Sequence, residues 1–469
     1  MPLKPLLPSK TGRAFLFLAA LLAASPVPAQ TFSVKGLAGV ARVPASARDS
    51  QGETLGGFGS GMALVPGSWQ GQGDHFSGTL AMLPDRGWNT QGTTDYRARL
   101  QYFNVALTPG SSTGLTLTYR KTLLLTDAAG TATTGLDPVG SVPAANGFPQ
   151  LPRAANGHVS MDSEAVALPE GGTIWVGEEY GPYIYHFDAA GKMLGAIHPP
   201  DAIIPRRGGA VNFSAGETVK GEPQSGRQNN QGMEGMSISG RHLFAITQSA
   251  LVQDLDSGNP KASRRNVRLL EYDIGGAPKL IHEYAVQLPL YSDGKKPLVA
   301  AQSEMLALND HQFLLLCRDS GGGFTGKRDA SAYRVINVID TDGATDIAGK
   351  YDGAGYSMAP GGMLRTNIQP ARLTPFLDIN DNAQLARVGL HNGAPNDAND
   401  LYEKWESMAL APTHDAKAPD DYFLFVGSDN DFITQDGMMA GKPYQDASGA
   451  NVDTLVLVYR VSLPGIDRR

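Results

Sequence analysis

The chain has 469 residues, of which 41% are hydrophobic and 18% are charged, so it can bury a sizeable globular core. Its formal charge of −7 at pH 7 makes it a poor ligand for nucleic acids or anionic membrane surfaces, and we expect no nucleic-acid partner. The single cysteine, Cys317, excludes an intramolecular disulfide. Stability must therefore come from burial of the core, with bound metal as a further source.

The first 29 residues predict a cleavable signal peptide. A cationic start precedes the apolar run FLFLAALLAA, and Val27 and Ala29 fit the −3 and −1 positions of a cleavage site. This run is too short to span a bilayer, and no later stretch approaches the roughly 18 apolar residues that a span requires. An uncleaved membrane anchor is the alternative. We expect an exported protein, periplasmic or secreted, with no integral membrane span, in which residues 30–469 form a single domain.

Downstream of this segment, one pattern recurs along the chain. A glutamate opens a short apolar segment, a polar turn follows, and a second apolar segment ends in another polar group. The first three of these glutamates are 70 residues apart and the last follows after 102 residues; they are Glu164, Glu234, Glu304 and Glu406. GGFGSGMALVPG (56–67) begins an upstream unit of the same plan without the glutamate. Turn sequences such as PEGG, DAAGK and DTDG separate the segments, and no long run has a helical period, so we predict strands joined by hairpins.

At least five units of three or four strands predict an all-β fold, a β-propeller. We expect about six blades, and five or seven would also fit. The C-terminal segment TLVLVYRV is expected to close the ring against FSVKGLAGVARV (32–43). The alternative fold is a pair of packed β domains.

A propeller gathers the starts of its innermost strands at one face, so the four glutamates should converge there. Converging carboxylates repel and raise one another's pKa values, and a divalent cation with oxygen ligands is the simplest compensation. Arginine side chains are a second possible compensation for this repulsion. Alternatively, each acid only accepts hydrogen bonds from the backbone of its own turn.

The second segment of each unit ends in further polar residues, which a hairpin could return to the same face. We predict an acidic funnel that binds calcium through Glu164, Glu234, Glu304, Glu406 and Asp85. Arg86 and Arg318 would bind the anionic group of a substrate, and Glu179 or Asp429 would be the general base. The nine histidines form no H-E-x-x-H pattern, and no serine with a nearby histidine suggests a covalent nucleophile. Cys317 follows three leucines and is expected to be buried.

Several segments between about residues 55 and 465 resemble the phytase-like family, described as having esterase-like activity of phytase. They are LGGFGSGMAL, MLPDRG, DSEAVAL, GTIWVGEEYGPYIYHFDAAGKML, NNQGMEGMSIS, SEMLAL, LLLCRDSG, KWESMAL and FVGSDNDF. The resemblance implies a propeller that hydrolyses phosphate esters or other esters. The family's acidic positions fall on Asp85, Glu164, Glu179, Glu234, Glu304, Glu406 and Asp429. Gln248 and Cys317 stand where the family tends to carry another glutamate, which implies fewer bound cations here.

Two hypotheses about function follow. The first is a calcium-assisted phosphoesterase or esterase that acts on a small-molecule ester and works as a monomer. The second is an exported binding or scaffold propeller in which calcium is purely structural. The fold alone cannot separate them, because propellers host many unrelated functions.

Overall fold

The computed structural model describes residues 31–110, 114–292, 294 and 296–467. The predicted signal peptide, residues 1–29, lies outside the described residues. Strands make up most of the regular structure. The short helices are α1 (Pro260–Ser263), α2 (Asn382–Leu385) and the 3₁₀ segments Val252–Asp254, Pro360–Gly362 and Ala386–Val388.

Five antiparallel sheets of four or five strands are the blades of a β-propeller, and four further hairpins lie between or within them. Strand β1 (Ser33–Val43) precedes blade 1, which contains β2 (Gly61–Leu64), β3 (Gln70–Gln72), β4 (His75–Leu83), β5 (Arg99–Leu107) and β6 (Leu115–Leu124). The hairpin β7 (Gly140–Val142) and β8 (Leu151–Arg153) leads to blade 2, made of β9 (Ser163–Ala167), β10 (Ile174–Glu178), β11 (Ile184–Phe187) and β12 (Met193–Ile197). The hairpin β13 (Arg206–Arg207) and β14 (Ala210–Val211) then leads to blade 3, made of β15 (Met233–Ser239), β16 (His242–Thr247), β17 (Asn266–Asp273) and β18 (Lys279–Gln287).

The second half of the chain repeats this arrangement. After β19 (Leu290–Ser292) and β20 (Pro297–Val299), blade 4 contains β21 (Ala301–Ala307), β22 (Gln312–Arg318), β23 (Arg334–Asp340) and β24 (Arg372–Asp378). Blade 5 begins with β25 (Trp405–Pro412) and β26 (Asp421–Ser428), continues after the hairpin β27 (Gly437–Met439) and β28 (Lys442–Tyr444) with β29 (Thr454–Ser462), and is completed by β1.

The first strand of each blade lines the axis. Strand β2 packs on β9, β9 on β15, β15 on β21, β21 on β25, and β25 on β2, which closes the ring. The prediction of a β-propeller is confirmed. Five blades surround the axis where we expected about six, and five lies within the predicted range. The alternative of two packed β domains is wrong, because the five blades form a single ring.

The two ends of the described chain close this ring. Strand β1 pairs antiparallel with β29, with Val40 opposite Leu457, and is the outermost strand of blade 5. The expected pairing of the C-terminal segment with residues 32–43 is therefore confirmed. Closure by strands from both ends gives the last blade its fourth strand and ties it to the rest of the ring.

Apolar side chains fill the space between neighbouring blades. Five buried clusters occupy the five interfaces, and in one of them Phe244 of blade 3 meets Phe313 of blade 4 edge to face, with ring centroids 4.8 Å apart. Because both faces of a blade are covered, inner strands such as β22 are almost continuously apolar. Cys317 lies in that strand and is buried, as expected. Within the described part of the chain, no helix is long and apolar enough to cross a membrane.

Candidate functional site

The start of each innermost strand meets the end of the second strand of its blade. Ser163 pairs with Glu178, Met233 with Thr247, and Trp405 with Ser428. In each of these three blades the next residue of the innermost strand is left unpaired in a bulge. These unpaired residues are Glu164, Glu234 and Glu406. A residue left unpaired in a bulge is re-aimed relative to the rest of its strand, and bulges occur preferentially beside functional sites. The hairpins therefore bring both polar groups of a unit to one end of the ring.

These side chains form a group of carboxylates that we call the acidic cluster. It consists of three overlapping sets of three, and within each set the candidate ligand atoms lie within 4.8 Å of one another. The sets are Glu164, Glu179 and Glu234; Asp85, Asp162 and Glu164; and Asp85, Asp429 and Asp431. Six of the seven residues are buried, with 0–7% of their surface exposed, and only Asp431 is partly exposed.

Burial and mutual repulsion raise the pKa values of most of these acids. Burial raises the pKa of Glu179 to about 8, with a further contribution from the charge of Asp162. Burial and then Glu234 raise the pKa of Glu164 well above its usual value, and burial and then Glu179 do the same for Glu234. A group of acids that resists ionisation in this way favours the approach of a cation, which removes the repulsion.

Three cationic side chains border the acidic cluster. The Nζ of Lys404 lies 2.9 Å from Asp429 Oδ2 and 2.8 Å from Asp431 Oδ1. Arg86 Nη1 lies 3.0 Å from Asp162 Oδ2 and also donates to Asn230 Oδ1. Arg318 forms an ion pair with Glu406. Burial by itself lowers the pKa of Lys404, but Asp429 and its neighbouring acids raise it well above the usual value, so the ammonium stays charged.

The first set of glutamates has no such partner. Among the described residues, no lysine, arginine or histidine lies within ion-pair distance of Glu164, Glu179 or Glu234. Glu179 Oε1 accepts the backbone N–H of Gly232 at 3.0 Å, whereas Glu179 Oε2 and Glu234 Oε2 are buried without a hydrogen-bond partner. Unsatisfied buried carboxylate oxygens are costly unless an ion or water meets them. Oxygen ligands at this spacing suit a divalent cation such as Ca²⁺, with bonds of about 2.3–2.6 Å.

Glu304 has a different environment. Its Oε1 accepts the backbone N–H of Met305 at 2.7 Å and that of Met236, in the neighbouring blade, at 3.3 Å. In blade 4 the register skips Ser303 instead of Glu304, which accounts for the different direction of the side chain. Glu304 thus accepts backbone hydrogen bonds, as in the alternative interpretation of the repeats, although one of them comes from the neighbouring blade. Glu178, which precedes Glu179 in the sequence, accepts from Tyr180 N–H of its own turn at 2.8 Å.

The structure thus brings most of the predicted site residues together. Asp85, Glu164, Glu179, Glu234 and Asp429 belong to the acidic cluster, and Glu406, Arg86 and Arg318 border it. Glu304 lies outside the three sets. Sequence reasoning missed Asp162, Lys404 and Asp431. Asp162 and Lys404 could have been found from one shared feature, since each lies two residues before the glutamate of its repeat.

A ring of five blades with a buried acidic cluster at one end defines this protein as an acid-lined β-propeller. The family described as "Phytase-like: Esterase-like activity of phytase" matches residues 54–432. A protein of Arthroderma benhamiae, described as an uncharacterized secreted protein, is 42% identical over 456 residues, which cover 87% of this chain and 88% of that protein. The chain belongs to the phytase-like family, as its sequence motifs indicated.

Solved structures are similar at much lower identity. A luciferin-regenerating enzyme is 11% identical, with 88% of this chain and 95% of that chain covered and a TM-score of 0.29. The PQQ-bound aldose sugar dehydrogenase of Streptomyces coelicolor is 9% identical, with 92% and 98% covered and a TM-score of 0.28. The activities of these proteins have no bearing on the chemistry of this one.

Proposed function

We propose that this protein is an exported phosphoesterase that holds a divalent cation, calcium, in its acidic cluster. The observation that carries the proposal is the set formed by Glu164, Glu179 and Glu234. These carboxylates are buried and close together, they lack a cationic partner among the described residues, and two of their oxygens have no hydrogen-bond donor. Membership of the phytase-like family supports an ester as the substrate.

A cation bound by these glutamates would supply positive charge for phosphate oxygens and would acidify a water molecule. The chain itself supplies three further cationic groups near the same place. Arg86 and Arg318 each retain an Nε–H that is buried without a partner, so each guanidinium has a donor left for an anion. In this scheme Arg86 and Arg318 orient the phosphate group against the acidic cluster.

Asp429 is the better choice for the general base. Burial raises its pKa to about 6, and Lys404 limits the increase, so Asp429 is ionised at pH 7 yet basic enough to accept a proton. Glu179 has a pKa of about 8 and remains largely protonated at pH 7 until a cation displaces the proton. We therefore assign Glu179 to cation binding and Asp429 to proton transfer.

Export and substrate size belong to the same proposal. The N-terminal segment has the pattern of a signal peptide, and the Arthroderma benhamiae relative is described as secreted. A site whose acids are almost wholly enclosed by the blades favours a small ester over a large one. We propose a monomer that is released from the cytoplasm, into the periplasm or the medium, and acts on a small-molecule phosphate ester.

The test is hydrolysis by the purified mature protein. Phytate, p-nitrophenyl phosphate and p-nitrophenyl acetate should be offered with Ca²⁺ and after chelation. We expect calcium-dependent release of phosphate, and a loss on the order of 100-fold in Glu234→Gln, as is typical when a charge-stabilising group is removed from an active site. Glu178→Gln is the matched control, because Glu178 is equally buried but accepts hydrogen bonds from its own turn. Turnover that survives both chelation and Glu234→Gln contradicts the proposal.

One observation favours a purely structural cation instead. The glutamates of the first set are only 0–7% exposed, which leaves little surface for a substrate to reach. In that case calcium would raise Tm while none of the three esters is hydrolysed under any condition. The same hydrolysis and melting measurements separate the two functions.

A further inference from the structure

Lys404 occupies a repeated position of the propeller. The backbone carbonyl of Lys404 accepts the N–H of Asp429 at 2.9 Å, which links the start of β25 to the residue after β26. The same bond joins Glu179 N–H to the carbonyl of Asp162 in blade 2, at 3.0 Å. Lys404 therefore stands in blade 5 where blade 2 carries an acid.

The ammonium of Lys404 is surrounded in the way a metal ion would be. Its Nζ lies 2.8 Å from Asp431 Oδ1, 2.9 Å from Asp429 Oδ2 and 3.3 Å from Glu406 Oε2. Asp429 and Asp431 are also two of the three residues of the set that includes Asp85. Two of the three donors of the ammonium form hydrogen bonds, with Asp429 and Asp431, and the carboxylate of Glu406 adds an ion pair.

We propose that the Lys404 ammonium is a built-in cation that takes the place of a metal ion in the Asp85, Asp429 and Asp431 set. The protein then binds one divalent cation, in the Glu164, Glu179 and Glu234 set, and none beside Lys404. This inference rests on the cation site of the proposed function and adds to it a fixed stoichiometry.

The charges of the two sets support this difference. A divalent ion between Asp85, Asp429 and Asp431 would share two of its ligands with the ammonium and be repelled by it. The first set has no cation within ion-pair distance among the described residues, and it has two unpartnered buried oxygens, on Glu179 and Glu234. One end of the acidic cluster thus always holds a positive charge that belongs to the protein, and the other can exchange its ion.

Calorimetric titration with Ca²⁺ tests the proposal without any measurement of activity. We expect one calcium per wild-type molecule. Lys404→Gln removes the ammonium without replacing its charge and should bind two, while its Tm in chelator falls and is restored by calcium. Two or more ions in the wild type, or a single ion in folded Lys404→Gln, would overturn the role of Lys404.

A second variant decides the matter if Lys404→Gln does not fold. Asp431→Asn removes a carboxylate from the ammonium but not from the first set, so it should still bind one calcium, with a Kd within about threefold of the wild type. Loss of calcium binding in Asp431→Asn would overturn the proposal. A wild type that binds no calcium would instead contradict the cation site of the proposed function, so the two failures are distinguishable.

Discussion

Glu234 and Glu304 show how one repeated residue can have two environments. In blade 3 the pairing with the second strand skips Glu234. In blade 4 it skips Ser303 instead, and Glu304 itself is paired. Glu234 therefore faces the other acids and keeps an unpartnered oxygen, whereas Glu304 accepts two backbone N–H groups. Only the first arrangement leaves a carboxylate free to bind an ion.

Substitution of these two glutamates by glutamine should have unequal effects on cation binding. Glu234→Gln removes a charged ligand, and its calcium affinity should fall by at least about 10–100-fold, the range that even second-shell partners of a metal typically account for. Glu304→Gln keeps an oxygen that can accept the same backbone bonds, so its affinity should match the wild type. Calorimetric titration of both variants checks this. An equal loss in both would mean that Glu304 is also a ligand.

The sequence allowed part of this site to be predicted. The regular recurrence of the glutamates correctly placed Glu164, Glu234 and Glu406 at one end of the ring. It could not distinguish Glu304, because the position of a bulge depends on pairing between strands and not on the local residues. The recurrence did not indicate Lys404, because the repeated feature is an acid and a lysine does not match it. A cation at this position nevertheless compensates the converging negative charge.

At the level of strands, two innermost strands approach each other closely where a glycine of one faces the backbone of the other. A Cβ atom on Gly235 of β15 would lie 2.7 Å from the backbone nitrogen of Met305 in β21. Neither backbone can move without disturbing the carboxylate of Glu304, which bridges these two strands. The close approach of β15 and β21 is therefore a condition for the geometry of the site.

Gly235→Ala should destabilise the protein by about 1–3 kcal/mol, the usual cost of overpacking a filled core. Gly195→Ala is the matched control, since Gly195 lies in the outermost strand of blade 2 and an added Cβ would meet nothing within 4 Å. That variant should be neutral or slightly stabilising, because alanine suits a strand better than glycine. Urea denaturation of both variants measures the difference. Equal stabilities would show that β15 and β21 have room to separate.

At the level of the whole molecule, the repeats predicted the architecture, its closure and a range of five to seven blades that includes the observed five. The interval of 102 residues between Glu304 and Glu406 indicated either inserted material or an additional unit. The structure fills it with a long connection between β23 and β24 (341–371) and with the segment 379–404, which contains α2. Long connections contain the same turn-forming residues as the hairpins of a blade. Composition alone therefore cannot distinguish a long connection from an additional blade.

With the proposed calcium site, the acidic cluster should make the stability of the whole molecule depend on pH and calcium together. Glu179 has a folded pKa of about 8 against an ordinary value of 4.5, and Asp429 has one of about 6 against 3.8. Between these values the folded state holds protons that the unfolded chain releases, so stability must fall as pH rises. In chelator we expect Tm to decrease from pH 5 to pH 8.

Calcium should reverse part of this decrease. At pH 8 fewer protons compete for the carboxylates than at pH 5. An ion that binds only the folded state stabilises it by RT ln(1 + [Ca²⁺]/Kd), which is about 2.7 kcal/mol at 100 times Kd. At pH 5 protons occupy the same oxygens and the increase in Tm should be small. Glu178 and Glu283, with pKa values that burial raises to about 8 and about 7, add to the decrease in chelator but not to the calcium effect. The calcium-induced change in Tm at the two pH values is therefore the decisive measurement, and a larger change at pH 5 would contradict cation binding by the buried acids.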